Sequence, residues 1–365
     1  GLYTIFGGLR TVVITDTLQS CVLIAGAAVV AGYGLWQVGG WNALLSQLDE
    51  RHAQLFPAVD DQALPWPGIF GIVILGLYYW TFNQYFVQRA LAARSLDDGR
   101  KGALFAGFLK LFNLFLMIVP GLVAVALYPA LDSPDKAFPT LTFELLPAGF
   151  RGIVLAAMLA AIMSSLDSAL NAASALTTMD LARVAWPRLS ERALFVLGRV
   201  VTGAFMVVAA LYAPMIGSFG SLFEYFQSTL AYLVPPFVGV YLAGLFSARP
   251  TRASAFWTLV LVEPVALLAF FGNEVAGLGA GLGLPDIHFT YAAMGLLVLT
   301  LVLIFTISLV QQTVGPAVDN STVFSVRDLA PTRSAPGGSM WTDYRILAGL
   351  LLGCTAGLLV WLSAY

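Results

Sequence analysis

Long apolar runs, separated by short polar connections, recur along the whole chain. A helix needs ~20 apolar residues to cross the hydrocarbon core of a bilayer. Runs of that length predict about nine membrane-spanning helices, with loops at the polar connections. These spans are placed at roughly 10–36, 67–91, 102–128, 148–178, 194–215, 222–246, 253–272, 289–311 and 344–364.

Composition supports this interpretation. The 365 residues are 59% hydrophobic and 10% charged, whereas roughly a quarter of residues are charged in soluble domains. We therefore expect an all-α polytopic membrane protein whose surroundings are a lipid bilayer. A net charge of −2 disfavours nucleic acid as a partner. Two cysteines in apolar runs and two isolated histidines form no nucleophile or metal cluster, so we expect no enzyme.

Lysine and arginine concentrate in alternate connections, those that follow the second, fourth, sixth and eighth spans. The positive-inside rule places these connections in the cytoplasm, which predicts a multi-pass protein of the cell (inner) membrane. We expect a transporter core over 1–311 and a C-terminal transmembrane helix over 344–365. The stretch between them, 312–343, is rich in Pro, Gly and Ser, which is typical of a flexible linker, here a cytoplasmic one.

The fourth span carries polar residues at its middle. Ser164, Asp167, Ser168 and Asn171 follow the i, i+3, i+4, i+7 spacing of one helical face. An ionisable group at that depth indicates a functional site, and hydroxyl and carboxylate oxygens are ligands for a small cation. The alternative is that the hydroxyl and amide groups join one helix to another by hydrogen bonds.

Asp16 stands near the start of the first span, within the half of the membrane that also holds Asp167. Their depth permits the two side chains to approach one another. Two unpaired carboxylates would repel and raise one pKa, whereas a bound cation would relieve both. The alternative is that Asp16 is an acid at a helix end, close to the interface.

Three further spans hold polar or aromatic groups at depth. Tyr78–Trp80 lie too deep for an interfacial belt and suit stacking on a solute, a gate or simple helix packing. Lys110 either reaches the cytoplasmic face along its own stem or enters a polar cavity. Gln227 needs a partner inside the membrane, and Pro235-Pro236 should bend its helix.

Four stretches carry a family resemblance: GLYTIFGGLRTVVITDTLQ, YYWTFNQYFVQRALAARSLDDGRKGALFAGFLKLF, AAIMSSLDSALNAASALTTMDL and FEYFQSTLAYLVPPFVGVYLAGLF. Over roughly 1–272 the chain resembles the sodium/solute symporter family, most closely its sodium/galactose and sodium/glucose branch. The resemblance implies the inverted-repeat (LeuT-like) transporter fold. It places Gly1–Trp36 at the fifth core helix, so the first core helices are missing from this sequence and are expected partners.

The resemblance also implies two sodium sites. The main one would use the carbonyl of Ala161 and the hydroxyls of Ser164 and Ser165, together with a helix absent from this sequence. The second would use Asp16, Ser164, Asp167 and Ser168. Asp167 stands where the family has a hydroxyl, so the second site is expected to bind sodium more tightly, or a proton.

For the solute, the resemblance assigns an inner gate to Tyr79 and polar contacts to Lys110 and Gln227. An asparagine of the sugar branch falls at Gly76, which has no side chain to donate or accept. A missing hydrogen bond weakens recognition strongly, so hexose transport is in doubt.

The resemblance implies sodium-coupled secondary active symport of a small polar organic solute by alternating access, with a sugar or polyol favoured and Na⁺ as the coupling ion. Alternatives are sodium symport of an amino acid or carboxylate, and a symporter-like solute sensor that does not transport.

Overall fold

A computed structural model describes residues 2–49, 52, 57–59, 61, 64–216, 222–275, 287–312, 323–325, 328 and 343–363, of which 2–10, 215–216, 275 and 312 are described by their backbone alone. Every regular element in these ranges is helical. The helices are α1 (Leu2–Val38), α2 (Trp41–Ser46), α3 (Ile69–Leu77), α4 (Gln84–Leu91), α5 (Leu96–Asn113), α6 (Val119–Leu127), α7 (Ala137–Thr140), α8 (Ala148–Ala175), α9 (Arg183–Ala185), α10 (Glu191–Ile216), α11 (Leu222–Leu233), α12 (Pro235–Phe246), α13 (Arg252–Phe270), α14 (Phe289–Gln312) and α15 (Tyr344–Ser363).

Several spans continue through a wider π-helical turn. Such turns leave the regular i→i+4 hydrogen-bond ladder and often occur at functional positions. They are Tyr78–Phe82 after α3, Leu114–Ile118 between α5 and α6, Leu141–Leu145 after α7, Leu176–Ala182 between α8 and α9, and Phe271–Val275 after α13.

Within the described ranges, seven helices are long and apolar enough to cross a membrane, or eight if the bent pair α11–α12 is one span. The pair bends by 48°, as predicted from Pro235-Pro236. The predicted span 67–91 differs, because the helix stops at Phe82, Asn83 is extended and α4 starts anew. Most of the predicted linker 312–343 lies outside the described residues, so the predicted domain boundaries stay predictions.

The chain divides into two compact units that alternate along the sequence. Unit 1 comprises Gly1–Leu55, Gln88–Leu222 and Ser339–Tyr365, and unit 2 comprises Phe56–Val87 and Phe223–Gly338.

In unit 1, α1 packs along α8 through small residues. A Cβ atom added to Gly26 would lie 2.3 Å from the Cβ of Ala157, so only glycine permits this approach. Close approach of small residues is the usual way in which membrane helices associate. Beside this contact, Val30 and Val154 are fully buried in a cluster with Val123. The packing fixes which face of α8 meets α1.

The start of α15 docks near the start of α5 in unit 1. The guanidinium of Arg100 lies 4.6 Å from the ring centre of Tyr344, a cation–π distance. Asp343 precedes α15 and accepts side-chain hydrogen bonds from Arg345, which, with the backbone N–H of Arg345, lower the pKa of Asp343 to about 2. Asp343 therefore stays ionised at neutral pH, at the favourable end of the helix dipole.

In unit 2, α3, α12 and α13 all pack on α14. A Cβ atom on Gly239 would lie 2.7 Å from a methyl carbon of Thr300, so at this point the backbone of α12 packs directly on the Thr300 side chain of α14. Ser308 donates to Ser254 at 2.8 Å and joins α14 to α13. Tyr232, Val262 and Leu296 form the buried core of the unit on the side of α11 and α13.

Candidate functional site

The polar face of α8 lies buried within unit 1. The helix begins after Pro147, whose backbone is extended. Proline commonly precedes or opens a helix because it has no backbone N–H to donate. Asp167 and Ser168 are 0% exposed. Because the spacing of Ser164 and Ser168 is one helical turn, both hydroxyls reach the same neighbour, α1.

Asp16 of α1 accepts a hydrogen bond from each of these serines. Ser164 Oγ donates to Asp16 Oδ1 at 2.7 Å, and Ser168 Oγ donates to Asp16 Oδ2 at 3.1 Å. The side chain of Asp16 is only 14% exposed. The predicted meeting of Asp16 with the α8 stripe is therefore present in the structure, through the serines.

Arg89 of α4 completes this group of hydrogen-bonded residues, the Asp16 cluster, which comprises Asp16, Ser164, Ser168 and Arg89. Its Nη2 donates to Asp16 Oδ2 and to Ser168 Oγ, and its side chain is 25% exposed. From the sequence, Arg89 is only one charge of the basic connection that follows the second span. Nothing in its position in the sequence separates an arginine that faces protein from one that faces water.

Next to Arg89, Gln88 joins α4 to the same face of α8. Asn171 Nδ2 donates to Gln88 Oε1 at 3.2 Å, and Gln88 is 8% exposed. Its Nε2 is buried and has no hydrogen-bond partner among the described residues. The polar stripe therefore continues one turn beyond Ser168, with a donor left over for an oxygen atom of a ligand or water.

Asp167 lies between these contacts on α8 and is fully buried. It neighbours Ser168 in sequence, while Asp16 reaches α8 through Ser164 and Ser168. The structure thus brings three of the four residues expected for a second sodium site into one hydrogen-bonded cluster, with Arg89 added.

The residues expected for the main sodium site share α8. Ser164 is half-buried and turned toward Asp16, Ala161 is half-buried and Ser165 is exposed. Since Ser164 and Ser165 are successive residues of a helix, their side chains point about 100° apart. Ser165 therefore faces a different direction from the Asp16 cluster.

The residues expected at the solute belong to both units. Tyr79 lies in the π turn after α3, with its ring centre 4.8 Å from that of Phe86. Gly76 precedes it, and an added Cβ would meet nothing within 4 Å. Gln227 is half-buried on α11, and Lys110 is exposed on α5 of unit 1.

The Asp16 cluster has the chemistry of a small-cation site. Both carboxylate oxygens of Asp16 and the hydroxyl oxygens of Ser164 and Ser168 converge, and hard cations bind oxygen ligands of this kind. The guanidinium of Arg89 donates to two of the same oxygens. The charge of Asp16 is therefore balanced by one cation, either the guanidinium of Arg89 or a free ion that takes its place.

Comparison with known proteins places these residues in context. The model of the sodium:solute symporter family matches residues 1–261. The sodium/myo-inositol cotransporter 2 of Rattus norvegicus is 37% identical over 353 residues, covering 84% of this chain and 52% of the relative. The sodium/glucose cotransporter 1 of Sus scrofa is 32% identical over 360 residues, covering 85% of this chain and 54% of the relative.

A solved structure shares the fold. It is the substrate-bound outward-open state of a Na⁺-coupled sialic acid symporter, with a TM-score of 0.66 and 20% sequence identity, covering 86% of this chain and 65% of the other. This likeness confirms the predicted inverted-repeat (LeuT-like) fold class. The chain spans about half the length of the curated relatives that it matches. Those relatives are named as transporters, not enzymes.

Proposed function

The chain belongs to the sodium:solute symporter family, and from that premise we propose that the whole protein performs sodium-coupled secondary active symport. The solute is a small polar organic molecule, with a sugar or polyol favoured, because relatives are named as cotransporters of myo-inositol and glucose. The apolar helices make it a multi-pass membrane protein. The arginine-rich connections support a place in the cell (inner) membrane.

One observation carries the proposal. Asp16 and two serines of α8 gather oxygen ligands inside helices that are otherwise apolar. A buried carboxylate there is costly unless a cation accompanies it. Arg89 is that cation in the structure, and in the proposed cycle sodium takes its place on the same oxygens; Asp167 on the same helix adds a second carboxylate to the proposed site.

Arg89 enters the proposal as a tethered competitor of sodium. It donates to Asp16 and Ser168, so a sodium ion that binds the same oxygens must displace the guanidinium. Release of Arg89 from Asp16 then accompanies sodium binding at the second site. A proton on Asp167 is the alternative occupant of this site.

Ser164 links the two proposed sodium sites. In the main site it acts with Ala161 and Ser165, and in the second site with Asp16, Asp167 and Ser168. Its hydrogen bond to Asp16 gives a direct way for one site to influence the other. Such coupling is reciprocal by thermodynamic necessity.

For the solute we propose Tyr79 as a gate ring and Gln227 and Lys110 as polar contacts. The open space beside Gly76 replaces a side chain that the sugar branch uses, so a hexose loses one hydrogen bond. A second candidate is a carboxylate-bearing solute, which the exposed ammonium of Lys110 favours by charge.

Uptake into proteoliposomes tests the proposed function. The whole protein is reconstituted, and radiolabelled myo-inositol, glucose and a carboxylate sugar are offered with an inward gradient of sodium or of choline. We expect one of these solutes to accumulate only with sodium. Equal uptake in both salts contradicts sodium coupling. A Ser165→Ala variant should lose sodium-driven uptake, and unchanged sodium dependence would remove Ser165 from the main site.

A further inference from the structure

A polar cluster in unit 2 lies outside every site described above. Tyr232 Oη donates to Glu274 Oε1 at 3.1 Å. Asn273 Nδ2 lies 3.0 Å from Tyr232 Oη, from Glu274 Oε1 and from the carbonyl oxygen of Ile287, and its two hydrogens are shared among these three acceptors. These four groups, the Tyr232 cluster, connect α11 with the end of α13 and with the segment that leads into α14.

The π turn after α13 makes this cluster possible. Asn273 and Glu274 are successive residues, and both contact Tyr232 although they lie within a helical segment. A wider turn changes the angle between successive side chains, which lets two neighbours converge on one partner. The tyrosine ring packs against Phe270, at 5.7 Å between ring centres, and only its hydroxyl enters the cluster.

The two halves of the bent span contact their neighbours in different ways. On α12, Gly239 packs closely on Thr300 of α14. On α11, Tyr232 is 1% exposed; its ring packs in the buried core of the unit, and its hydroxyl adds hydrogen bonds to this packing. Loss of a buried hydrogen bond leaves its partner groups unpaired, which is costly. The bend of 48° between Leu233 and Pro235 separates the two contacts.

Tyr232 also fixes the rotation of α11. Gln227 lies five residues earlier, so its side chain points about 140° around the helix from Tyr232. A helix anchored on one side by Tyr232 therefore presents Gln227 on nearly the opposite side. Loss of the anchor frees α11 to rotate or to tilt at the bend.

We infer that the Tyr232 cluster is a latch that positions α11 and thereby holds Gln227 in place for the solute. Tyr232, Asn273 and Glu274 are positioning residues and do not touch the solute themselves. The role given to Gln227 rests on the proposed function, whereas the positioning of α11 does not.

The test uses Tyr232→Phe, which removes one hydroxyl and keeps the ring in the core. In the whole protein we expect the KM for the solute to rise by roughly threefold to tenfold, as expected when a hydrogen bond is lost. The maximal rate and the sodium concentration for half-saturation should not change. The matched control is Tyr241→Phe on α12, which removes a hydroxyl outside the cluster and should have no effect.

A labelling measurement separates the latch from the transport function. Cys21 and Cys354 are exposed and are replaced by serine, together with every other cysteine of the whole protein, and Gln227→Cys then supplies a single thiol. Tyr232→Phe and Asn273→Ala should each change the rate at which this thiol reacts with a soluble maleimide. The double variant should change the labelling rate no more than either single variant does, because both substitutions break the same cluster.

An unchanged labelling rate in both variants, at normal abundance, overturns the latch even if the protein transports. A changed labelling rate upholds the latch, and it does so even if the protein with Gln227 intact takes up no solute under a sodium gradient, a result that refutes only the proposed function. A fall in maximal rate with unchanged KM also overturns the positioning of Gln227.

Discussion

Asp16 carries its own counter-charge, and this explains how a carboxylate is accommodated among apolar helices. Arg89 and the hydroxyls of Ser164 and Ser168 satisfy its oxygens. Breaking a buried ion pair by removing one partner costs about 3–5 kcal/mol, because the remaining charge stays uncompensated. When Arg89 moves away from Asp16, the stability of the folded protein therefore depends on another cation that binds the carboxylate of Asp16.

Replacement of Arg89 tests this coupling. Arg89→Gln should lower the free energy of unfolding by about 2 kcal/mol, less than for a full burial because the side chain is one quarter exposed. Sodium should restore more of the loss than choline does, since sodium binds the freed Asp16. Thermal unfolding in the two salts measures this. Arg94→Gln, exposed on the next connection, is the control, and equal restoration by both salts contradicts the competition.

Asp16 itself should set sodium affinity. Asp16→Asn keeps the size of the side chain and removes the charge, so the sodium concentration for half-maximal uptake should rise about tenfold, as for a loss of ~1.4 kcal/mol. Asp97→Asn, which removes a surface partner of Lys101, should leave it unchanged. A normal sodium dependence in Asp16→Asn excludes Asp16 as a ligand.

Gly76 offers a gain-of-function test. The Cβ of Gly76→Asn would meet nothing within 4 Å, and its amide adds one acceptor and two N–H donors. Hexose uptake should increase relative to myo-inositol, on the order of tenfold for one well-placed hydrogen bond to the solute. Competition between the two labelled solutes measures the ratio. Gly76→Ala is the control, and the same ratio in both variants removes this position from the solute site.

At the scale of the helices, the bend at Pro235 and the break at Asn83 differ in whether the sequence predicts them. The bend at Pro235 was predictable because proline lacks the N–H that a helix needs. The break at Asn83 was not, because no proline or glycine occupies residues 77–91. Asn83 replaces the lost helical contacts with its own side chain, whose Oδ1 accepts from the N–H of Tyr85 at 3.0 Å. This local competition starts α4, the helix that carries Arg89.

The α1–α8 contact is the element on which the Asp16 cluster depends. Gly26→Leu places a side chain where Ala157 already lies, and overpacking of this kind costs about 1–3 kcal/mol. Abundance and unfolding temperature should fall. Gly32→Leu, on the same helix with open space around it, should have no effect. Equal behaviour of the two variants would contradict the packing of α1 on α8.

For the whole molecule, apolar length was sufficient for an all-α membrane protein of about nine spans, of which the described ranges show seven or eight. The family resemblance implied the inverted-repeat fold and the grouping of Asp16 with Ser164 and Ser168. The sequence was insufficient for Arg89, which pairs with Asp16 across 73 residues. A charge at the end of a span looks the same whether it faces water or protein. The division into two alternating units likewise depends on contacts between distant segments.

The most direct test of sodium-coupled symport reverses its direction. Proteoliposomes that contain the whole protein receive a gradient of the transported solute, and the uptake of radioactive sodium is followed without a sodium gradient. Because coupling is reciprocal, we expect the solute gradient to drive sodium inward and Asp16→Asn to reduce the number of sodium ions moved per solute. Solute movement without any movement of sodium would contradict sodium coupling.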